Sequence, residues 1–348
     1  MKPLRMNPTE TRLYEKVLAQ EPLSEADALW LYQNGRLAFL AALATIVRKR
    51  LHGKNAFYNR NFHIEPTNIC IYECAFCSFA RKPGEPGGWE YSLEEIEAIA
   101  ERYKGTGVTE VHIVGGVHPK RGIEYYAEMI RRIKRILPDI HVKAFTAVEL
   151  KVMCARSRMS YREGLGALKE AGLDSLPGGG AEIFHPDIRK QICPTKASTE
   201  EWLAIHRTAH ELGIPSNATM LYGHIESYEH RIHHMSLLRQ LQSETGGFNC
   251  FIPLKYRREN NNLSHIGEVS TIEDLKNYAI SRLYLHNIPH LKAYWPMIGV
   301  QTAQMSLVFG VDDLDGTIDD TTKIYSMAGV NAPGSLSTEM LEHLIRQA

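Results

Sequence analysis

Three cysteines stand close together in the first part of the chain. Cys70, Cys74 and Cys77 follow the spacing C-x3-C-x2-C, so half of the six cysteines lie within this one short segment. Cysteine thiolates are the usual protein ligands of iron in [4Fe–4S] clusters. Three thiolates can therefore hold three irons of one cubane. Because no fourth cysteine stands nearby, the fourth iron would be open to a small molecule.

Three other interpretations of these thiols compete with the cluster. A structural zinc site normally takes four protein ligands in paired clusters, and the sequence has no second pair of closely spaced cysteines. A disulfide needs an oxidising compartment, whereas the N-terminal segment lacks the apolar stretch of a signal peptide. Unrelated buried thiols are common, and this is our interpretation of Cys154, Cys193 and Cys250.

Further polar residues follow predicted strands at the points where the strands end. Glu149, Glu182, His224 and Glu226 all hold such positions. In a parallel barrel, the loops at the carboxyl ends of the strands carry the chemistry. We therefore expect a polar active-site face, with Glu149, His224 and Glu226 as catalytic candidates. The alternative for each is a solvated loop residue.

The elements that must position these residues alternate between short β runs and amphipathic helices. Alternating strands and helices give a parallel sheet, and about eight such units favour a closed barrel. The predicted fold is therefore α/β, a single (β/α)8 TIM-type barrel over residues 56–320, with an N-terminal helical extension over 1–55 and a C-terminal tail or helix over 321–348. The strands are predicted at 62–66, 110–114, 141–148, 174–177, 215–221, 247–253, 291–295 and 311–316.

The composition excludes several classes of protein. The chain has 348 residues, with 40 basic and 40 acidic side chains, so its formal net charge is zero. Nucleic-acid-binding proteins usually carry a basic excess, and no apolar run reaches the length of a transmembrane helix. We expect a cytoplasmic protein, a location that suits an oxygen-sensitive cluster needing a reductant.

The cysteine motif resembles that of the radical S-adenosylmethionine (SAM) superfamily. The resemblance implies that SAM chelates the open iron, and that reduction cleaves SAM into methionine and a 5'-deoxyadenosyl radical. Phe76 stands where the superfamily packs a ring against the cluster and the adenine. Gly115 and Gly116, followed by Pro119, match the Gly-Gly-x-x-Pro segment, whose backbone is implied to bind the amino group of SAM.

The same resemblance makes Glu182, which follows three glycines, a SAM contact. Arg189 is a candidate for the SAM carboxylate, because a guanidinium can bind a carboxylate through two parallel hydrogen bonds. A charge on the surface of a helix is its alternative. Lys292 and Arg282 are candidate anchors for substrate carboxylates, again with surface positions as the alternative.

Longer segments resemble one branch of the superfamily, the enzymes of the futalosine pathway of menaquinone biosynthesis. These segments are residues 63–70, 143–149, 177–182 and 219–226. The resemblance implies addition of the adenosyl radical to the enol-ether double bond of 3-[(1-carboxyvinyl)oxy]benzoate, then rearrangement on the ring and decarboxylation. SAM would be a co-substrate, and a protein such as flavodoxin or ferredoxin would reduce the cluster.

Three alternatives to this reaction stay open. Two other kinds of enzyme that the same segments resemble are alternatives. One cyclises dehypoxanthine futalosine by hydrogen abstraction, and the other joins tyrosine to a pyrimidine in deazaflavin synthesis. A protein of a different class would be a non-catalytic metal-binding module, in which the thiolates only stabilise the fold. Such a module should be closed by a fourth protein ligand, and none stands at motif spacing.

Overall fold

The computed structural model describes residues 6–317, 323–330 and 333–348. Strands in these ranges are β1 (Phe57–Tyr58), β2 (Asn61–Ile64), β3 (Glu110–Ile113), β4 (His141–Ala144), β5 (Ser216–Tyr222), β6 (Phe248–Lys255), β7 (His290–Ala293) and β8 (Asp313–Leu314). The α-helices are α1 (Pro8–Leu18), α2 (Glu25–Asn34), α3 (Leu37–His52), α4 (Leu93–Glu101), α5 (Ile123–Ile136), α6 (Ala147–Ser157), α7 (Tyr161–Ala171), α8 (Pro186–Ile192), α9 (Thr199–Glu211), α10 (Tyr228–Thr245), α11 (Thr271–Tyr284), α12 (Trp295–Ile298), α13 (Val300–Ser306), α14 (Ile324–Met327) and α15 (Thr338–Gln347).

The strands are all parallel and form two hydrogen-bonded groups. One group has the order β2-β3-β4 and the other the order β1-β8-β7-β6-β5. Ser175 and Leu176 link the groups, because Ser175 bridges to Lys143 on β4 and Leu176 bridges to Ser216 on β5. This segment stands where the fourth strand of a barrel would be. The parallel α/β fold predicted from the sequence is thus confirmed.

The hydrogen-bond ladder is not continuous between β8 and β2. Thr317 fills this gap: its backbone nitrogen donates to the carbonyl of Asn59 at 3.1 Å, and its Oγ1 accepts from the backbone nitrogen of Asn61 at 3.0 Å. The strands therefore stand in barrel order without formal closure of the ladder in the described residues.

Side chains alternate along the strands between two different environments. Phe62, Val111 and Val142 are fully buried in the apolar core that the surrounding helices share. Successive strand residues point to opposite faces, so their neighbours His112 and Lys143 face the interior of the barrel. The interior is consequently polar, which is unusual for a purely structural core and suits a cavity that binds polar ligands.

The N-terminal residues form three helices, as expected, and α3 packs against α11 on the outside of the barrel. The sequence patterns Ser24-x-x-Asp27 and Ser92-x-x-Glu95 form capping boxes at the starts of α2 and α4. The domain boundaries stay predictions. Part of the predicted C-terminal segment, namely 321–322 and 331–332, lies outside the described residues. No helix in the described ranges is both long and apolar enough to span a lipid bilayer.

Several predicted strands end earlier than the sequence pattern indicates, and in two of them a helix begins where the strand was expected to continue. The strand predicted over 141–148 ends at Ala144, because Thr146 caps α6 and forms a capping box with Glu149. Glu149 therefore lies in the first turn of a helix and not at a strand end. Likewise β7 ends at Ala293, and Trp295 already begins α12.

Candidate active site

A cavity of about 310 Å³ lies at the carboxyl ends of the strands. Cys70, Cys74 and Cys77 all line it, and all three are free thiols. They are the only cysteines among its described lining residues. The loop that follows β2 thus brings the predicted metal ligands to the predicted face of the barrel.

Three backbone hydrogen bonds tie the loop that carries the cysteines to distant parts of the chain. Ile71 donates from its nitrogen to the carbonyl of Val117 at 3.0 Å, which ties the cysteine loop to the loop after β3. Ala75 donates to the carbonyl of Ile192 at 2.7 Å, at the C-terminal end of α8, and its own carbonyl accepts from the nitrogen of Asn262 at 2.8 Å. The cysteine positions therefore depend on these three segments.

The thiols fit the chemistry of an iron–sulfur cluster. Burial raises the pKa of the Cys70 thiol, and it raises the pKa of the Cys74 thiol to about 12. Without a cation these groups are therefore neutral thiols, and iron would favour their deprotonated form. Three thiols on one loop, open to a cavity that no fourth cysteine closes, suit a cubane with one accessible iron.

Gly115 and Gly116 line the same cavity, directly after β3. A Cβ atom at Gly116 would lie 2.4 Å from the carbonyl oxygen of Ile69, and one at Gly115 would lie 2.7 Å from that of Thr67. Side chains are excluded at both positions because the two loops touch through their backbones. The glycines therefore serve the packing of the cysteine loop as well as any approach of a ligand.

Glu149 does not line the cavity among the described residues. Its Oε1 accepts a hydrogen bond from the nitrogen of Gly115 at 3.2 Å, and its Oε2 accepts from the nitrogen of Thr146 at 2.7 Å. Burial raises the pKa of the Glu149 carboxyl to about 7. This placement supports a role in positioning the glycine loop, and it does not support the direct catalytic contact expected from the sequence.

Glu182 lines the cavity as expected, and its carboxylate pairs with the ammonium group of Lys196. The Lys196 nitrogen also lies 5.3 Å from the centre of the Phe76 ring. Burial opposes the charge on Lys196, but the neighbouring Cys74 and Glu182 groups raise its pKa above the usual value. Lys196 could not be identified from the sequence, because a lysine in a loop carries no local signal of such contacts.

Arg189 is buried and is not among the lining residues of the cavity. Its guanidinium donates to the carbonyl of Ala181 at 2.6 Å and to the carbonyl of Ala197. These carbonyls flank Glu182 and Lys196, so Arg189 holds together the two loops that carry this ion pair. Both sequence interpretations of Arg189, a SAM contact and a surface charge, are therefore unsupported.

His224 and Glu226 lie away from the cavity lining. The Glu226 side chain is fully buried, accepts a hydrogen bond from the nitrogen of Gly223 at 2.6 Å, and forms an ion pair with Arg231 at 2.8 Å. His224 Nδ1 lies 3.2 Å from Glu226 Oε2. The structure thus shows a buried polar turn after β5, and neither residue is among the described lining residues of the cavity.

Lys292 and Arg282 are buried in ion pairs, not exposed. Lys292 contacts Asp315 at 3.1 Å and Asp313 at 3.3 Å inside the barrel, and Arg282 pairs with Asp312. Their charges are already balanced by these carboxylates. Neither is positioned as the anchor for a substrate carboxylate expected from the sequence.

The remaining lining residues include two groups that the sequence pattern did not identify. A polar floor lies on the strands and directly after β8, and consists of His112, Lys143, Asn217, Thr219 and Asp315. A largely apolar wall comes from β6 and the start of α12, and consists of Ile252, Leu254, Tyr256, Tyr294 and Met297. A cavity with one polar and one apolar side can accept an aromatic ligand that carries charged groups.

Comparison with known proteins yields two family matches that follow one another along the chain. The model of the radical SAM superfamily matches residues 64–238, and that of the CofH/MqnC C-terminal region matches residues 245–348. The first match contains the three cysteines, the glycine loop and the ion pair of Glu182 with Lys196. The second contains the apolar wall of the cavity.

Several curated proteins are similar over nearly the whole chain. An aminodeoxyfutalosine synthase of Thermus thermophilus is 47% identical over 96% of this chain and 91% of its own length. The aminodeoxyfutalosine synthase of Streptomyces coelicolor is 42% identical over 97% of this chain and 89% of its own length. A 5-amino-6-(D-ribitylamino)uracil–L-tyrosine 4-hydroxyphenyl transferase of Methanopyrus kandleri is 40% identical, over 86% and 83%.

Solved structures share the fold at low sequence identity. Methylornithine synthase superimposes with a TM-score of 0.77 at 17% identity, covering 96% of this chain and 94% of that chain. This likeness supports the arrangement of strands and helices and carries no information on the substrate.

Proposed function

The chain belongs to the radical SAM superfamily, and we propose that it catalyses the reaction of the aminodeoxyfutalosine synthases. The reaction adds the 5'-deoxyadenosyl radical to the double bond of 3-[(1-carboxyvinyl)oxy]benzoate, with rearrangement and decarboxylation, to give 6-amino-6-deoxyfutalosine. The observation that carries this proposal is the 47% identity over 96% of the chain, together with three free thiols that line one cavity.

As a member of this superfamily, the chain uses a [4Fe–4S] cluster and SAM. When bound, these supply one electron and the carbon radical that results from cleavage of SAM. Cys70, Cys74 and Cys77 would hold three of the four irons. The cavity, which lies among these thiols and the apolar wall, would exclude water from the radical.

SAM would bind between the glycine loop and the ion pair of Glu182 with Lys196. The carbonyl groups of Gly115 and Gly116 can accept hydrogen bonds from the amino group of SAM. Lys196 would bind the SAM carboxylate, the role that the sequence assigned to Arg189. Its ammonium group lines the cavity, whereas the donors of Arg189 are engaged by backbone carbonyls. Phe76 would pack against the cluster and the adenine.

The thiols face an open cavity and the similar curated proteins are enzymes, so a purely structural metal module is a poor account of the chain. The similar curated proteins catalyse two different reactions, and the deazaflavin reaction is the weaker candidate. The Methanopyrus transferase is less similar to this chain than the two aminodeoxyfutalosine synthases are, and over a smaller share of the chain. A flavodoxin or ferredoxin as reductant and a cytoplasmic location are parts of the same proposal.

A panel of substrates tests the proposed reaction. The reconstituted and reduced protein is incubated anaerobically with SAM and one of three candidates: the enol-ether benzoate, dehypoxanthine futalosine, or tyrosine with the ribityl pyrimidine. We expect turnover of the enol ether at a rate at least tenfold above that of the other two, about 1.4 kcal/mol in transition-state free energy. Turnover of dehypoxanthine futalosine with none of the enol ether would overturn the proposal.

A further inference from the structure

Arg257, two residues after the end of β6, lines the cavity that also has the apolar wall. Its Nη1 contacts Glu268 at 2.9 Å and donates to the carbonyl of Met297 at 3.4 Å. Its Nε is buried and has no hydrogen-bond partner among the described residues. Nη2 likewise has no partner in that part of the chain. One edge of the guanidinium, Nε with Nη2, is therefore left without an acceptor from the described residues.

A buried donor without an acceptor is costly, so this edge points to a ligand that supplies one. The Nε–Nη2 edge of arginine matches the two oxygens of a carboxylate, which it binds through two parallel hydrogen bonds. Glu268 and the Met297 carbonyl hold the other side of the group in place. The guanidinium is thus oriented before any ligand arrives, which lowers the entropic cost of binding.

The surroundings of Arg257 suit an aromatic ring attached to that carboxylate. Leu254 lies on β6 and Tyr256 directly follows this strand. Both precede Arg257 in the chain, and both line the cavity. Met297, whose carbonyl Arg257 contacts, lines the cavity as well. These side chains offer an apolar contact surface in the same cavity as the guanidinium.

Among the described residues, two other cations line the cavity, and neither is positioned for the ring carboxylate. Lys196 pairs with Glu182 on the side of the cysteines, where it is assigned to the SAM carboxylate. Lys143 pairs with Glu110 at 2.6 Å on the floor, where the carboxylate of Asp315 also lines the cavity and would repel an anion. Arg257 also has an acidic partner, but it keeps a two-donor edge that its partner does not use.

We propose that Arg257 is the anchor for the ring carboxylate of the substrate, with the ring lying on Leu254, Tyr256 and Met297. This inference rests on the proposed function, in which the substrate has two carboxylates. The double bond must lie towards the cysteines and Glu182, because the radical is generated there. The ring carboxylate is at the other end of the molecule, so it is the group that can reach Arg257.

The test compares R257M and R257K with R258M as a matched control, because Arg258 is exposed and does not line the cavity. Each protein receives the full substrate or 2-phenoxyacrylate, the analogue without the ring carboxylate. Steady-state KM and kcat are measured with both, and equilibrium dialysis measures the binding of 3-hydroxybenzoate. Iron content and the circular dichroism spectrum verify that each variant is folded and loaded.

We expect R257M to raise the KM for the full substrate by about 10- to 100-fold, the effect of losing a bidentate charge-assisted pair. R257K should recover part of this loss, and R258M should match the wild type. The analogue should show the same KM with R257M as with the wild type, and the KM for SAM should change by less than about twofold. If the KM for the full substrate is the same in R257M as in R258M, the inference is overturned.

The measurements also separate this inference from the proposed function. Turnover of the enol ether by the wild type with an unchanged KM in R257M would refute the carboxylate anchor alone. No turnover of the enol ether, with binding of 3-hydroxybenzoate that R257M abolishes, would refute the proposed reaction and keep the aromatic carboxylate site. Absence of both turnover and binding in the wild type would refute both.

Discussion

Glu149 accepts a hydrogen bond from the backbone nitrogen of Gly115 at 3.2 Å. A carboxylate in the first turn of α6 therefore holds the glycine loop that follows β3. The other oxygen of Glu149 is occupied by Thr146, so the side chain has no free oxygen directed at a substrate. The contact supports a positioning role for Glu149 in the part of the cavity that we propose binds SAM.

Substitution of Glu149 by glutamine should affect SAM binding more than the chemical step. The amide nitrogen would face donors at Thr146 and would disturb the loop at Gly115. We expect E149Q to raise the KM for SAM about tenfold, the effect of one charged hydrogen bond, with kcat lowered by less than about threefold. Steady-state kinetics with varied SAM measures both values.

Glu163 supplies the matched control for this prediction. It forms the same capping box with Ser160 at the start of α7 but is exposed and remote from the cavity. E163Q should leave both kinetic constants unchanged. A fall of about 1,000-fold in kcat for E149Q, with the KM for SAM unchanged, would restore the direct catalytic role, because general acid–base groups contribute on that scale.

Removal of any one of the three motif thiols should abolish the cluster. C70A, C74A and C77A should each lose the electron paramagnetic resonance signal of the reduced cluster and all cleavage of SAM, because each thiolate holds one iron. Iron content after anaerobic reconstitution and the spectrum of the dithionite-reduced protein measure the loss. C250S, which changes a buried thiol outside the cavity lining, should keep both the signal and the cleavage. An intact signal in C74A would show that the ligands are assigned wrongly.

Substitution of Lys196 should weaken the binding of SAM, whereas substitution of Arg189 should lower the stability of the fold. K196M removes the cation that lines the cavity, so we expect the KM for SAM to rise about tenfold, as for a lost charged hydrogen bond. K196R should retain part of the affinity. K190M, which changes an exposed lysine on the neighbouring helix α8, should behave as the wild type.

The result for Arg189 should differ in kind from that for Lys196. R189M should lower the unfolding temperature, because several carbonyl groups lose a buried donor. Wild-type thermal stability in R189M combined with a raised KM for SAM would instead identify Arg189 as the SAM contact.

Glu65 should make the stability of the protein depend on pH. Its carboxylate is buried at the end of β2 and accepts from the nitrogens of Lys323 at 2.9 Å and Ile324 at 3.3 Å. Burial raises its pKa from 4.5 to about 7. A carboxyl group with a raised pKa binds a proton more readily in the folded state. Its contribution to stability is therefore complete below pH 4.5 and is lost as the pH rises to 7.

The corresponding measurement is urea unfolding of the wild type and of E65Q at pH 4.5 and pH 7. Between these values the wild type should lose more stability than E65Q, by about 3 kcal/mol at most. E85Q, at an exposed position, should show the same pH dependence as the wild type. Equal losses in the wild type and E65Q would contradict the assignment of this dependence to Glu65.

Some features of the site could be predicted from the sequence because they are local. The cysteine spacing, the glycine pair and the capping boxes at Ser24 and Ser92 each depend on residues a few positions apart. The alternation of strands and helices likewise predicted the parallel fold. The prediction failed for residues 145–148, where an apolar run resembles a strand but the Thr146 capping box starts a helix.

Other features depend on contacts between distant parts of the chain. Lys196 is positioned by its contacts with Glu182 and Phe76. Arg257 is positioned by its contacts with Glu268 and the carbonyl of Met297. No local pattern marks such residues, because the spacing between partners is set by the fold. For the same reason His224 and Glu226 resembled active-site residues, although the Glu226 carboxylate accepts hydrogen bonds from the backbone nitrogens of its own buried turn.

The central claim is that the adenosyl group becomes part of the product. The measurement that tests it most directly uses SAM labelled with 13C in the ribose, the reduced cluster-loaded protein and the enol-ether benzoate, under anaerobic conditions with analysis by mass spectrometry. We expect a product that carries the labelled ribose covalently, with one methionine and one carbon dioxide equivalent released for each product formed. Labelled 5'-deoxyadenosine as the only adenosyl product would contradict radical addition and would assign the chain to a hydrogen-abstracting reaction.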